Sequence, residues 1–455
     1  MVMLPVLLVT LLPTVSLPYG IFQGLNDGGL TKFLGVPFAQ AGRFETPSTP
    51  KVLYGVQNAT EFGPACPQQK LSTLSLQVFT VTIYPSISED CLSINVFRPI
   101  ASNSSSKLPV FVAQIHVSRG GFEEGNSRDV DISPVVERSI ETGEPVMVVT
   151  PNYRVNAFGF LGGQEVTSAG IFALQWVQQH IAAFGGDPDR VVIGGQSAGA
   201  ISVAFLLLNN RQNSNSLFRG AFMQAGSPLT SHPIAEGQSD YDGLVAANNC
   251  TGSTDTLNCL RHVPLDAFWG TVPFMTGDCD DEGTYLPAAS TDQMARIGSL
   301  YPDDPTQGSP FDTGTANQLT PEYKRIAAFL GDWVFMAPRR FFLEHASRRQ
   351  DTWSWMFGAS HTSATPIWFP ASGSDTTAVD ALVNFINTLD PNQPAASSTA
   401  NSSIFWPKWN TPSSAGSTSL LTFSDPDVIN ITTENFRVEA IEYLNNLVLD
   451  EALAE

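Results

Sequence analysis

The chain has 455 residues, of which 23 are Lys or Arg and 43 are Asp or Glu, for a net charge of −20. A surface that acidic repels phosphate backbones, which excludes nucleic acid as a partner. Apolar residues make up 42%, with 29 Phe and 8 Trp, enough to rule out disorder for most of the chain and to predict a large buried core.

Residues 2–17 form the only long apolar run, and it holds two prolines. That is too short for a membrane span. It reads as a secretory signal over residues 1–16, with the small residues Thr14 and Ser16 near the cleavage point, although the usual basic n-region is absent. A buried first strand is the other reading. The chain ends on acidic residues rather than an apolar tail, so a lipid anchor of that type is not expected. Residues 68–89 read as a surface insertion.

From residue 108 onward, strands and helices alternate. Residues 108–115 and 145–150 are short Val-rich apolar runs, as buried parallel strands should be. Residues 171–184 place apolar side chains at helical spacing, and Gly185-Gly186-Asp187-Pro188 stops them. Residues 190–193 read as another buried strand and 198–208 as a helix. Residues 291–318 and 392–419, rich in Ser, Thr, Pro, Asp and Gly, read as further surface insertions. Residues 434–453 close the chain as an amphipathic helix. Such alternation predicts one α/β domain over residues 17–455, a central mostly parallel sheet with helices on both faces and long insertions.

Five cysteines, at positions 66, 91, 250, 259 and 279, form two short-spaced pairs with one left over. No CxxC spacing occurs, so an oxidised protein fits better than a metal site, and neither metal nor cofactor is expected. Five Asn-x-Ser/Thr sequons, at Asn58, Asn103, Asn249, Asn401 and Asn430, are compatible with glycosylation in the same compartment. Both features point to a secreted, extracellular protein.

The chemistry sits in Gly195-Gln196-Ser197-Ala198-Gly199. This G-x-S-x-G follows a buried strand and opens a helix, the setting a nucleophile elbow requires. A strained turn there lifts the Ser197 hydroxyl above the sheet, and the Ala198 amide can face a developing oxyanion. A serine needs a base, and the chain order of this motif puts nucleophile first, then acid, then base. His116 and His180 precede the serine. His345 lies in a helical stretch where a surface histidine is the natural reading, whereas His361 sits in a small-residue loop, Gly358-Ala359-Ser360-His361-Thr362-Ser363. Between serine and base, Asp278, Asp280, Asp281 and Glu282 are all candidate acids, and spacing alone does not choose among them.

The sequence resembles the type-B carboxylesterase/lipase family, the cholinesterase-like α/β-hydrolases, most closely its secreted fungal members. The segments that carry the resemblance are Phe33-Leu34-Gly35-Val36-Pro37-Phe38-Ala39, Glu89-Asp90-Cys91-Leu92-Ser93-Ile94-Asn95-Val96, and Asn152-Tyr153-Arg154 leading to Phe158-Gly159-Phe160-Leu161. Phe184-Gly185-Gly186-Asp187-Pro188, the elbow and Asp281-Glu282-Gly283-Thr284 follow in order. The resemblance implies an α/β-hydrolase fold and a Ser197–His361–Glu282 triad working through an acyl-enzyme. It implies an oxyanion hole from the amides of Gly120, Gly121 and Ala198. It also implies disulfides Cys66–Cys91 and Cys250–Cys259, with Cys279 free.

Several positions depart from the family pattern. Arg119 replaces the third glycine of the oxyanion loop, and His116 stands one residue too far from it. Gln196 occupies a position that is usually Glu, and Ala225 one that is usually Ser. A G-N-x-G-x-x-D-Q segment before Phe172 is absent, and a further stretch is missing between Trp355 and Phe357. The expected activity is hydrolysis of lipid-like or general carboxylic esters. A non-catalytic binding protein and an impaired chain are the alternatives. Leu71, Leu74, Leu76, Val78, Phe79, Val81 and Ile83 form an apolar stripe that in related lipases is a lid touching a lipid interface; packing of an ordinary loop is the other reading.

Overall fold

The computed structural model describes residues 12–68, 86–114, 121–162, 172–209, 217–230, 234–265, 267–268, 290–358, 364–370, 375–395, 404–409, 418–425 and 428–453. The described strands are β1 Thr14–Leu17, β2 Gly20–Gln23, β3 Leu25–Asp27, β4 Leu30–Pro37, β5 Val56–Asn58, β6 Ser93–Pro99, β7 Leu108–Gln114, β8 Met147–Pro151, β9 Gly186–Gln196, β10 Gly220–Gln224, β11 Trp355–Phe357, β12 Ser419–Asp425 and β13 Val428–Thr433. They form a seven-stranded sheet in the order β10-β9-β7-β8-β6-β4-β3 and two three-stranded sheets, β1-β2-β5 and β11-β12-β13. The chain divides into two compact units.

The first unit comprises Met1–Gly194, Gln212–Phe222 and Leu382–Ala400. Its large sheet is mixed: β7 and β8 run parallel, while β3/β4, β4/β6 and β6/β8 are antiparallel. Every residue of β6 and β8 is buried, as continuous apolar runs covered on both faces must be. The predicted helix over 171–184 forms as Phe172–His180 followed by a tighter turn, Ile181–Phe184. Gly185 ends it at φ +94°, against the Asn103 carbonyl, where a β-carbon has no room. The buried Arg98 donates to the Phe184 carbonyl at 2.6 Å and lies over the Phe33 ring.

Two buried asparagines tie the motif segments together. Asn95 accepts the Gly35 amide and donates to Ser127 and Thr150, and Asn152 accepts the Ser127 amide and donates to the Pro64 and Cys91 carbonyls. Cys66 is bonded to Cys91, with Cα atoms 5.0 Å apart. Just beyond the disulfide, Gln68 closes both amide atoms on the Gly125 backbone, and Glu89 takes a bidentate ion pair from Arg43. The ends of the 68–89 segment are therefore fastened. The apolar stripe from Leu71 to Ile83 lies outside the described residues.

β1 begins inside the segment read as a leader. It pairs antiparallel with β2, Thr14 opposite Gln23 and Ser16 opposite Ile21, and buries Val15 and Leu17. A cut after residue 16 would leave only Leu17 of this strand.

The second unit comprises Gly195–Arg211, Met223–Ala381 and Asn401–Glu455. Cys250 is bonded to Cys259 within it. Residues 291–318 are more than a surface insertion. They supply the helix Thr291–Leu300, opened by a Ser290/Gln293 capping box, whose Ile297 joins Tyr301, Ile441, Leu444 and Leu447 in one apolar cluster. Residues 392–419 likewise contribute two buried tryptophans: Trp406 donates to the Ser354 carbonyl and Trp409 to Glu434.

The closing helix starts at Val438 rather than at 434, just after Arg437 at φ +46°, and Glu434 lies outside it. Its carboxylate is only 1% exposed and accepts from Arg340 Nε at 2.7 Å, from Arg339 and from Trp409 Nε1 at 3.1 Å. Arg339 reaches on to the Ser354 hydroxyl at the start of β11. Burial pushes the Glu434 carboxyl up, but the two guanidinium groups outweigh it and hold it below the ordinary carboxylate value.

Two outcomes follow from these contacts. N-terminal sequencing of the mature chain is expected to find a start upstream of Thr14, and a start at Leu17 would contradict the β1–β2 pairing. Glu434→Gln strands the buried Arg340 and the half-buried Arg339 and should destabilise by about 3 kcal/mol at neutral pH. Because the folded-state pKa is depressed, the wild-type advantage exists above the ordinary value of 4.5 and is lost as pH falls through the lower folded value. Thermal melts of the two proteins should therefore converge in acid and diverge on neutralisation.

Candidate active site

Ser197 joins the last residue of β9 to the first residue of the helix Ala198–Asn209. Its φ is +54°, a left-handed conformation that a serine adopts only when its surroundings impose it. The imposing contacts are specific. The Ser197 N–H donates to the Gln224 carbonyl at 2.9 Å, and the Ser197 carbonyl accepts the Ile201 N–H at 3.0 Å, the first bond of the helix. A β-carbon at Gly195 would overlap the Gly199 backbone, and one at Gly226 would lie 2.6 Å from the Ser197 carbonyl oxygen. Residues 191–196 are all buried, so the strand beneath the turn cannot shift to relieve it.

This turn leaves the amides of Ala198 and Gly199 at a helix N-terminus, where the first N–H groups have no intrahelical acceptor. Such donors suit a developing anion. Ala198 itself is 2% exposed. In the first unit, Gly121 and Phe122 are both left-handed, at φ +56° and +64°, and the Asn156 amide donates to the Phe122 carbonyl at 2.7 Å. Gly120, Glu282, His361 and Cys279 lie outside the described residues.

The described histidines are accounted for by local contacts. His345 and His262 each direct Nδ1 to the carbonyl four residues earlier, Phe341 and Asn258, at 2.8 and 2.7 Å. His180 packs against Tyr19 and Trp176, and burial lowers its pKa.

One pair of residues escaped sequence reasoning. Gln224, fully buried, presents its backbone carbonyl to Ser197 and donates its side-chain Nε2 to Thr365 Oγ1 at 3.3 Å. Thr365 follows His361 by four residues. The residue that supports the serine therefore also fastens the chain within ~14 Å of contour from the expected base. The Gln-x-Gly-Ser segment was a visible signal, but a contact across 141 residues is not legible from spacing. Gln196 is 1% exposed, and neither of its amide atoms has a hydrogen-bond partner among the described residues.

The family model for the carboxylesterase family matches residues 12–307. "Lipase 4" of Diutina rugosa is 33% identical over 511 aligned positions, covering 89% of this chain and 91% of that protein. "Secreted lipase 1" of Botryotinia fuckeliana is 32% identical, covering 87% of each. The 511 aligned positions exceed the 455 residues available, so gaps fall opposite this chain. The crystal structure of Aspergillus niger EstA superposes with a TM-score of 0.77 at 24% identity, over 96% of this chain and 98% of that one, and shares the α/β-hydrolase fold. The chain belongs to the carboxylesterase family and is a serine carboxylic ester hydrolase.

Proposed function

We propose that the chain is a secreted esterase or lipase working as one catalytic domain that includes strand β1 and runs to residue 455, with Ser197 as nucleophile, His361 as base and Glu282 as acid. The observation that carries this reading is the left-handed Ser197, wedged between a buried strand and a helix N-terminus. His361 takes the Ser197 proton as the hydroxyl attacks the ester carbonyl, and returns it to the departing alcohol. Glu282 holds the imidazole in the productive tautomer. The amides of Gly120, Gly121 and Ala198 stabilise the oxyanion, and water then releases the acid from the acyl-enzyme.

The substrate is a lipid-like or general carboxylic ester. Support for the lipid side comes from the relatives named as lipases and from the apolar stripe between Leu71 and Ile83, which suits transient contact with a lipid interface. A chain-length series of nitrophenyl esters, set against a triglyceride emulsion, separates the two classes.

One observation favours a second reading, an impaired chain. Gaps fall opposite it in the alignment, and Arg119 interrupts the oxyanion glycines. Displacing a catalytic group by ~1 Å can cost about a hundredfold in rate. Turnover by the full chain in the ordinary range of roughly 1–10³ s⁻¹ removes this reading.

A serine-directed fluorophosphonate should add covalent mass at Ser197 and nowhere in Ser197→Ala. Ser197→Ala and His361→Ala should each lower kcat by several orders of magnitude, and Glu282→Gln by less, because serine and base act as one unit. Near-normal turnover by His361→Ala would move the base role to His345. Gly195→Ala should lower kcat at least about a hundredfold while leaving ester binding largely intact, since its β-carbon must push the elbow off its position; an unchanged kcat would show that the turn is not the constraint.

A further inference from the structure

Among the described residues, two sheet edges carry neither charge nor proline. β13, Val428–Thr433, is the outer strand of β11-β12-β13. Its sequence, VINITT, holds no charge, proline or glycine, and five of its six residues are exposed, with Val428 at 45% and Ile431 at 41%. A six-residue uncharged segment of high β-propensity, paired on one side only among the described strands, is a template for pairing with another chain. β5, Val56–Asn58, is the outer strand of β1-β2-β5. Residues 52–58 are likewise uncharged. Val52, Tyr54 and Val56 are 61%, 91% and 59% exposed, and Val56 stands opposite the exposed Ile21. Small-molecule chemistry explains neither surface.

Each edge carries one sequon asparagine, and each is exposed: Asn430 in Asn430-Ile431-Thr432, and Asn58 in Asn58-Ala59-Thr60. The Thr60 hydroxyl donates to Asn58 Oδ1 at 2.8 Å, leaving Nδ2 unused, and Asn430 Nδ2 has no hydrogen-bond partner among the described residues. The remaining described sequons are elsewhere. Asn103 sits in a turn with its Oδ1 on the Ser105 amide, and Asn249 follows a helix, left-handed at φ +59°.

We propose that Asn58 and Asn430 are N-glycosylated, and that their glycans are the guards of these two edges. Nδ2 displaces the diphosphate of a lipid-linked oligosaccharide at its anomeric carbon. An N–C bond forms, the C–O bond to phosphate breaks with its electron pair leaving on the diphosphate, and the amide proton passes to base. A hydrated glycan rooted on the strand then excludes a second strand sterically, as a lysine or proline does on other edges. The proposal is independent of the catalytic assignment. It rests on the secretory route, which a host secretion signal supplies in the test.

The full chain is secreted from yeast behind a host signal, and its glycopeptides are read by mass spectrometry after enzymatic deglycosylation in heavy-oxygen water. Both Asn58 and Asn430 are expected to be occupied, with the protein monomeric by size exclusion with light scattering. The Asn58→Gln, Asn430→Gln double variant should move into larger species, as should the folded wild type after endoglycosidase trimming. Asn103→Gln should stay monomeric. The Asn58→Lys, Asn430→Lys double variant, which loses both sequons but charges both edges, should also stay monomeric. An unoccupied Asn58 or Asn430 overturns the proposal. So does a monomeric Gln double variant, association of Asn103→Gln to the same extent, or failure of the Lys variant to prevent it.

Discussion

A single backbone angle organises this protein's chemistry. Holding Ser197 at φ +54° costs of order 1–3 kcal/mol, and that cost persists only where the neighbours leave no cheaper arrangement. They leave none here. The buried strand below fixes one side, the helix starts at once on the other, and glycines at 195 and 226 allow backbone to approach where side chains would collide. Ala225, at φ +51° and adjacent to Gly226, is a second left-handed residue on the segment that receives the Ser197 amide. The strain is thus shared between two facing turns that brace one another.

Beneath that turn the polar bookkeeping is unusual. Gln196 and Gln224 are both buried, yet both Gln196 amide atoms and Gln224 Oε1 lack partners among the described residues. Each such group costs roughly 1–3 kcal/mol. The family's more usual Glu at position 196 would, if ionised without a counter-charge, cost considerably more. A neutral amide is therefore a less expensive occupant of this pocket than an unpaired carboxylate. The strain at Ser197 and the orphaned Gln196 amide lie on adjacent residues, which is where pre-organised chemistry tends to concentrate both kinds of cost.

Local patterns in the sequence are legible where burial is continuous and glycines punctuate it. The strand, turn and helix around Ser197 were legible because apolar residues 191–193, the small residues of the elbow and the apolar run after Ala198 each point the same way. β9 proved longer than the apolar run because polar residues from Asp187 to Arg190 also adopt strand geometry, which hydropathy does not register. Composition misled over residues 291–318: Ser, Thr, Asp and Pro signal loop, yet the helix Thr291–Leu300 needs only Ile297 and the neighbouring Tyr301 to reach a core. The sequence pattern places Glu434 in the closing helix, whereas its carboxylate is taken up by Arg339 and Arg340 and the helix begins at Val438. The same limit applies to the Gln224–Thr365 contact, since nothing local announces a partner so distant in sequence.

The residues that make the family recognisable are mostly not the residues that would do chemistry. Asn95 and Asn152 satisfy backbone groups around the Cys66–Cys91 bridge, Arg98 caps the Phe184 carbonyl, and Gly185 clears the Asn103 carbonyl. These are framework duties, paid for in buried hydrogen bonds whose loss would cost stability directly. Catalysis makes a much smaller demand on the sequence, one triad and a few amides, but a far stricter one on position. A chain can therefore retain nearly every family signature while a change in one loop decides its rate. In this chain, recognition of the scaffold rests on many independent contacts, whereas the elbow at Ser197 concentrates its constraint on a single turn.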